Sequence, residues 1–259
     1  MPVRRMISGA LHRAANRIWA PAAPSQAAAS LTSPELETRV RDAASTLRAL
    51  TLVRDRGHQV STVVDIGASD GRWSAAARSV FPGANYLLIE AQELHRKSLE
   101  AYCAGHPGAE FCISAAGPRA DGMVYFEPSG EFAGSASEHP TDKETIKIPV
   151  TSIDHELAKR AWQGPFLLKL DTHGFEVPIL EGARRTLEQT EILVIETYNF
   201  RLSDNALMWH EMVAFLDRLG FGVVDFSEPL WRVYDRTLWQ MDLFFVPKRS
   251  EEFKYVNYA

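Results

Sequence analysis

Short apolar runs alternate with helical segments along most of this chain, and that alternation constrains the fold more than any other feature. The β-branched run Thr62-Val63-Val64-Asp65-Ile66 leads into a tight loop, Gly67 to Gly71, and a short helix over 73–81. Tyr86-Leu87-Leu88-Ile89 ends in Glu90 and precedes a helix over 93–102, and residues 110–114 form the next strand. Phe166-Leu167-Leu168-Lys169-Leu170 ends in Asp171, with a helix running through 180–187. Ile192-Leu193-Val194-Ile195 ends in Glu196, with a helix over 209–219. Gly222-Val223-Val224 and the run 242–246 complete the strands. Near-continuous apolar runs suit strands buried on both faces. Strand–helix alternation at this spacing forces right-handed crossovers. The expected class is α/β, a mostly parallel sheet with helices on both faces.

The pattern is interrupted once. Met123-Val124-Tyr125-Phe126 and residues 145–150 read as a strand pair inserted over 121–150, around a polar loop, 128–144. Structureless loops of that length tend to be lids or disordered. At the other end, Ser33-Pro34-Glu35 is a helix start: a capping hydroxyl, proline at the first helical position and an acid facing the dipole. An apolar stripe from Val40 to Leu52 and a stop at Gly57 give a helical lead-in over 34–57. The expected organisation is therefore a segment 1–33 and a domain 34–259. In the first segment Arg4, Arg5, Arg13 and Arg17 interleave with Ile7, Leu11, Ala14 and Ile18 at helical spacing. Such a basic amphipathic helix packs on its own domain or lies on an anionic membrane, so peripheral contact through 1–20 is one expectation.

Composition excludes several classes. A net charge of -5 argues against a nucleic-acid partner, which needs a basic face. No apolar run approaches the roughly 20 residues that span a bilayer, so the chain reads as soluble and cytoplasmic. Cys103 and Cys112 lack metal-pair spacing and read as reduced core thiols. Trp209, Trp231 and Trp239 read as core aromatics rather than ring-stacking surfaces.

The loop Asp65-Ile66-Gly67-Ala68-Ser69-Asp70-Gly71 follows the first strand, where open α/β sheets bind ligands. Gly67 allows a sharp turn with no Cβ against a ligand. Glu90, ending the next strand, is placed to accept two ribose hydroxyls. A dinucleotide site would show G-x-G-x-x-G, whereas this loop has G-x-x-x-G after an acid that would repel a pyrophosphate. That acid suits the cationic amino-acid end of S-adenosylmethionine. Gly67-Ala68-Ser69-Asp70-Gly71 also matches the G-x-S-x-G elbow of α/β-hydrolases, but that elbow follows several strands and an upstream oxyanion loop.

A second cluster sits at a later strand exit: Lys169-Leu170-Asp171-Thr172-His173-Gly174-Phe175-Glu176. The strand period points Lys169 and Asp171 to one side and leaves His173 in the turn. Such a set holds a hydroxyl and removes its proton, with His173 as the natural base near neutral pH. The competing reading is an ion pair with Glu176 in a helix's first turn.

Val63-Val64-Asp65-Ile66-Gly67-Ala68, Val150-Thr151-Ser152-Ile153-Asp154, residues 169–176 and Val194-Ile195-Glu196 together resemble the FkbM family of methyltransferases, over about 60–246. The resemblance implies a Rossmann-like class I methyltransferase with a seven-stranded sheet. It implies O-methyl transfer from S-adenosylmethionine, leaving S-adenosylhomocysteine, to a small-molecule or glycan hydroxyl, most often on a sugar or polyketide. It places Asp65, Gly67, Ala68, Ser69 and Gly71 around the methionine part and Glu90 at the ribose. Ala91 and Ser114-Ala115-Ala116 then border the adenine. Lys169, Asp171, His173 and Glu196 line the crevice where acceptor and methyl meet. Many members carry an acid where this chain has His173, which leaves the base and any divalent metal requirement open; no metal ligands are assigned. Asp154 reads as a helix N-terminal residue. A nicotinamide-dependent oxidoreductase and a non-catalytic cofactor-binding homologue are the alternatives. Oligomeric state is not written in the sequence.

Overall fold

The computed structural model describes residues 33–130, 134–140, 142, 144–204 and 206–258. The chain divides into two compact units, Met1–Arg39 and Val40–Ala259. Of the first, only the start of helix α1 (Ser33–Ala43) is described, with the Thr38 hydroxyl donating to the Pro34 carbonyl at 2.9 Å. The amphipathic segment expected over 1–20 lies outside the described residues. No helix among the described residues is long and apolar enough to cross a membrane.

In the second unit the elements run α2 (Thr46–Asp55), β1 (Thr62–Ile66), α3 (Arg72–Val80), β2 (Asn85–Glu90), α4 (Arg96–Gly105) and β3 (Ala109–Ile113). A small-sheet region follows: β4 (Ala115–Ala116), β5 (Met123–Pro128), β6 (Gly134–Ser137) and β7 (Ile146–Thr151). The alternation then resumes with α5 (Ile153–Arg160), β8 (Phe166–Leu170), α6 (Glu176–Glu181), α7 (Arg184–Leu187), β9 (Thr190–Tyr198) and α8 (Trp209–Arg218). It closes on β10 (Phe221–Trp231) and β11 (Leu238–Pro247).

The main sheet has seven strands in the order β10-β11-β9-β8-β1-β2-β3. β1, β2, β3, β8 and β9 pair in parallel, while β11 runs antiparallel to both β9 and β10. Strand order reverses at β1, between β2 and β8, so the crevice for a ligand opens at the carboxyl ends of those three strands. Alternate strand residues divide into two apolar layers. Val64, Leu87, Leu168, Leu193 and Phe245 meet α5, α6 and α8 on one face. Val63, Leu88, Leu167, Val194 and Phe244 meet α2, α3 and α4 on the other. Burial on both sides explains why these strands read as unbroken apolar runs.

Three elements differ from the sequence expectation. The lead-in over 34–57 is two helices, because Ser45 caps α2 by accepting from the Arg48 amide at 3.4 Å, and the Ala44 carbonyl leaves the helix to accept from the Glu228 amide at 2.8 Å. The helix expected through 180–187 breaks at Gly182, where a Cβ would lie 2.1 Å from the Gly117 carbonyl oxygen. The polar stretch 128–144 is not structureless, since β6 within it pairs antiparallel with β5. The inserted strands form a four-stranded sheet, β4-β7-β5-β6. Cys103 and Cys112 are free thiols, each pushed above its ordinary range by burial.

Candidate active site

The first loop is built by its neighbours. Gly67 has φ +74°, and a Cβ there would lie 2.0 Å from the Asp171 carbonyl oxygen. The glycine is thus needed for the close approach of the β8 exit, and it also lines the cavity. Gly71 has φ +85° and precedes α3, with the space of its missing Cβ 3.2 Å from the Tyr102 ring. Glu90, nearly buried, accepts from the Ser69 amide through Oε2 at 2.7 Å and from the Gln92 amide through Oε1 at 2.8 Å. Two amides therefore fix the carboxylate while spare lone pairs stay available. Ser69 Oγ and Trp73 Nε1 are buried and have no hydrogen-bond partner among the described residues. Buried polar atoms are rarely left so, and both residues line a cavity.

A second set of groups arises from strand register. Asp65 pairs with Lys169 across β1 and β8, and Glu196 with Asp242 across β9 and β11. All four share the α2–α3–α4 face by strand alternation. Lys169 Nζ lies 3.4 Å from Asp65 Oδ1 and 3.1 Å from Asp171 Oδ2. Burial alone would lower the Lys169 ammonium, but Asp171, Asp65 and Asp242 outweigh it and hold the group above its usual range. Asp65 is fully buried and raised by desolvation, with the Ser74 hydroxyl donating to Oδ2 at 2.7 Å.

His173 is a non-glycine residue at φ 54°, followed by Gly174 at φ 105°. Such left-handed backbone is costly and clusters at functional sites. It turns the imidazole back onto the strand ends. Nε2 lies 3.3 Å from Asp171 Oδ1 and 3.5 Å from Glu196 Oε2, while Nδ1 lies 2.9 Å from the Gly134 carbonyl oxygen on β6. Burial would lower the imidazole, but Asp171 and Glu196 push it up to about 9. Asp171 is held below its ordinary value despite burial, by Lys169 and His173. Glu196 is raised well above its own by burial, Asp171 and Asp242, and accepts hydrogen bonds from the Tyr198 hydroxyl and the Gln240 amide. Glu176 accepts from the Gly174 amide at 2.9 Å and the Thr172 hydroxyl at 3.2 Å, which holds the turn rather than the crevice.

One cavity of about 500 Å³ gathers most of the expected residues, a volume within the roughly 300–1,000 Å³ of small-molecule sites. Its wall includes Gly67, Ala68, Ser69, Glu90, Ala91, Ser114, Ala115 and Ala116, and also Lys169, Asp171, His173 and Glu196. Asp65 and Gly71 are not on that wall: Asp65 is buried beneath the loop, and Gly71 ends the loop at the start of α3. Sequence reasoning missed Asp242 and Gln240, which also line it. Burial and Asp171 push the Asp242 carboxyl up to about 7. An acid opening an otherwise apolar strand was the available signal. The tryptophans read as core residues belong to neither apolar layer. Trp209 is exposed, and Trp239 joins a chain of ring contacts running His173–Tyr198 (6.2 Å), Tyr198–Trp239 (5.8 Å) and Trp239–Phe200 (5.3 Å).

A seven-stranded sheet of this order, with one antiparallel strand and a glycine loop after β1, defines a Rossmann-like class I methyltransferase fold. Residues 65–223 match the family described as Methyltransferase FkbM domain, and the chain belongs to that family, whose methyl donor is S-adenosylmethionine. Among solved structures it is similar to magnesium protoporphyrin IX methyltransferase from Synechocystis with bound S-adenosylmethionine, at 12% identity and TM-score 0.43 over 95% of each chain. Precorrin-6y C5,15-methyltransferase from Geobacter metallireducens shares 12% identity at TM-score 0.41, over 77% of this chain and 86% of that one. An rRNA methylase from Streptococcus thermophilus shares 12% identity at TM-score 0.40, over 77% and 94%. No curated protein matches the chain.

Proposed function

We propose that this methyltransferase acts on a hydroxyl oxygen of a small-molecule or glycan acceptor, with a sugar as the preferred class. The observation that carries the reading is the convergence of Asp171, His173 and Glu196 on the wall of the same cavity as Glu90 and the β1 loop. In this reading Glu90 receives the ribose, Ala91 and Ser114-Ala115-Ala116 border the adenine, and Ser69 and Trp73 offer their unpartnered polar atoms to the ligand. S-adenosylmethionine supplies a methyl group already activated on a sulfonium, so the protein's task lies with the acceptor.

That task is to hold the hydroxyl oxygen in line and take its proton. An imidazole at about 9 is protonated near neutral pH, so His173 alone is not a resting base. In this reading the proton passes to the Asp171 carboxylate, the member of the Asp171–His173–Glu196 set held ionised, and positioning outweighs base strength. Lys169 acts as a positioning residue that fixes Asp171, and Asp65 holds Lys169 from behind the wall. The ring series starts at His173 on the cavity wall and continues outside it through Tyr198, Trp239 and Phe200. An acceptor reaching past His173 would meet rings on which a sugar's apolar face stacks. Arg232, lying 4.0 Å from the Phe200 ring centroid and paired with Asp235, extends the series with a hydrogen-bond donor.

The test is transfer of an isotope-labelled methyl group to a panel of mono- and oligosaccharides, read by mass spectrometry as a methyl ether. Label appearing on nitrogen or carbon acceptors and on no hydroxyl would overturn the oxygen assignment.

A further inference from the structure

The geometry points to a divalent-cation site formed by Asp171 Oδ1, His173 Nε2 and Glu196 Oε2, taking an ion of the Mn2+ type. One nitrogen and two carboxylate oxygens lie within 4.8 Å of one another. Ligands about 2.1 Å from an ion stand roughly 3.0–3.4 Å apart along a tetrahedral or octahedral edge. The imidazole nitrogen is 3.3 and 3.5 Å from the two oxygens, within a few tenths of that spacing.

Each ligand is held from behind. Nδ1 of His173 lies 2.9 Å from the Gly134 carbonyl and 3.5 Å from the Gly134 amide; the shorter contact is the one made with the proton on Nδ1, which turns the Nε2 lone pair toward the carboxylates. Asp171 gives its other oxygen to Lys169 Nζ at 3.1 Å. Glu196 is fixed by the Gln240 amide and the Tyr198 hydroxyl. These are the outer partners that orient metal ligands.

A proton serves this set less well than a cation. If Nε2 carries a hydrogen, that one N–H cannot point at both carboxylates, and its second ring hydrogen is already committed to Gly134. Among the described residues the carboxyl groups of Asp65, Asp171, Glu196 and Asp242 gather here, and the Lys169 ammonium meets two of them, Asp65 and Asp171. A divalent ion bonds both oxygens at once and offsets the excess of acids. Mixed imidazole and carboxylate ligation suits Mn2+ and its neighbours rather than Ca2+. The remaining positions face the cavity, where an acceptor hydroxyl would complete the shell. The role of the ion rests on the hydroxyl-acceptor reading above; its binding does not.

The full chain is titrated with Mn2+, following loss of the free-ion paramagnetic resonance signal and heat by calorimetry, with S-adenosylhomocysteine binding measured on the same samples. One saturable ion per chain is expected, with spin-echo modulation from a directly bonded imidazole nitrogen. Asp171→Asn and His173→Ala should each weaken it by about 10-fold or more, by analogy with losses at metal sites. No saturable Mn2+ binding by a chain that binds S-adenosylhomocysteine overturns the site, as does binding without nitrogen modulation or unchanged in both variants. Should His173→Ala not fold, the wild-type nitrogen modulation and Asp171→Asn still decide. Mn2+ binding without S-adenosylhomocysteine binding leaves the metal site standing and removes the cofactor-pocket reading instead.

Discussion

The carbonyl oxygen of Asp171 occupies the space where a side chain at residue 67 would begin, 2.0 Å from a Cβ built on Gly67. The loop after β1 and the exit of β8 are therefore in backbone contact, tied further by the Asp171 amide donating to the Ile66 carbonyl at 3.0 Å. The two loops lining the cavity cannot move independently. Gly67→Ala combines a left-handed backbone with a clash against another backbone atom, and should cost about 3 kcal/mol or more in urea unfolding. Gly83→Ala, with open space around it, should stay within about 0.5 kcal/mol. Equal effects for the two variants would contradict the contact.

Asp154 ties α5 to α7. Its carboxylate accepts from the Arg185 amide at 3.0 Å, the Thr186 amide at 2.9 Å and the Thr186 hydroxyl at 2.6 Å. Burial would raise it, but those bonds win and hold it below its ordinary value. A group depressed on folding stabilises above its unfolded pKa, and that stability is lost as the pH falls through the folded value. Asp154→Ala should lower stability by roughly 1 kcal/mol at neutral pH, with the gap to wild type closing below about pH 4. Thermal melts of both proteins from pH 7 downward check it, and a gap that widens in acid would refute it.

Within the acceptor cluster, Glu196→Gln and Asp171→Asn remove an ionisable carboxyl group while keeping shape. Each should slow methyl transfer by about 10²-fold or more in single-turnover label transfer. S-adenosylhomocysteine affinity should stay within about 3-fold, because neither residue is assigned to the cofactor. Loss of cofactor affinity with an unchanged transfer step would invert these roles.

Trp239 stacks on Phe200, meets Tyr198 edge-on and belongs to neither apolar layer. Trp239→Ala should raise KM for a sugar acceptor about 10-fold while leaving kcat nearly intact, the signature of lost uniform binding. A fall in kcat with unchanged KM would place the ring in support of Glu196 through Tyr198 instead.

Much of this was legible because burial on both faces makes parallel strands conspicuous: β1, β2, β8 and β9 each appear as apolar runs, with Glu90 closing β2, Asp171 directly after β8 and Glu196 near the end of β9. What sequence could not reveal depended on distant partners. Ser45 starts a second helix because Glu228 satisfies the backbone at Ala44 and Thr46 from 182 residues away. The polar stretch 128–144 carries no apolar period, yet β6 forms there against β5 and delivers the Gly134 carbonyl to His173. Asp242 joined the cluster only through cross-strand register with Glu196. At Gly67 the backbone contact with Asp171 was invisible in sequence, because its partner lies over 100 residues on.

The central claim, that the carboxylate ending β2 and the loop ending β1 receive the methyl donor, is tested most directly by calorimetry with S-adenosylhomocysteine. Wild type should bind one molecule per chain, and Glu90→Ala should lose at least about 10-fold in affinity, the scale of a hydrogen bond to a charged group. No saturable binding at millimolar ligand, or an affinity unchanged in Glu90→Ala, would contradict it.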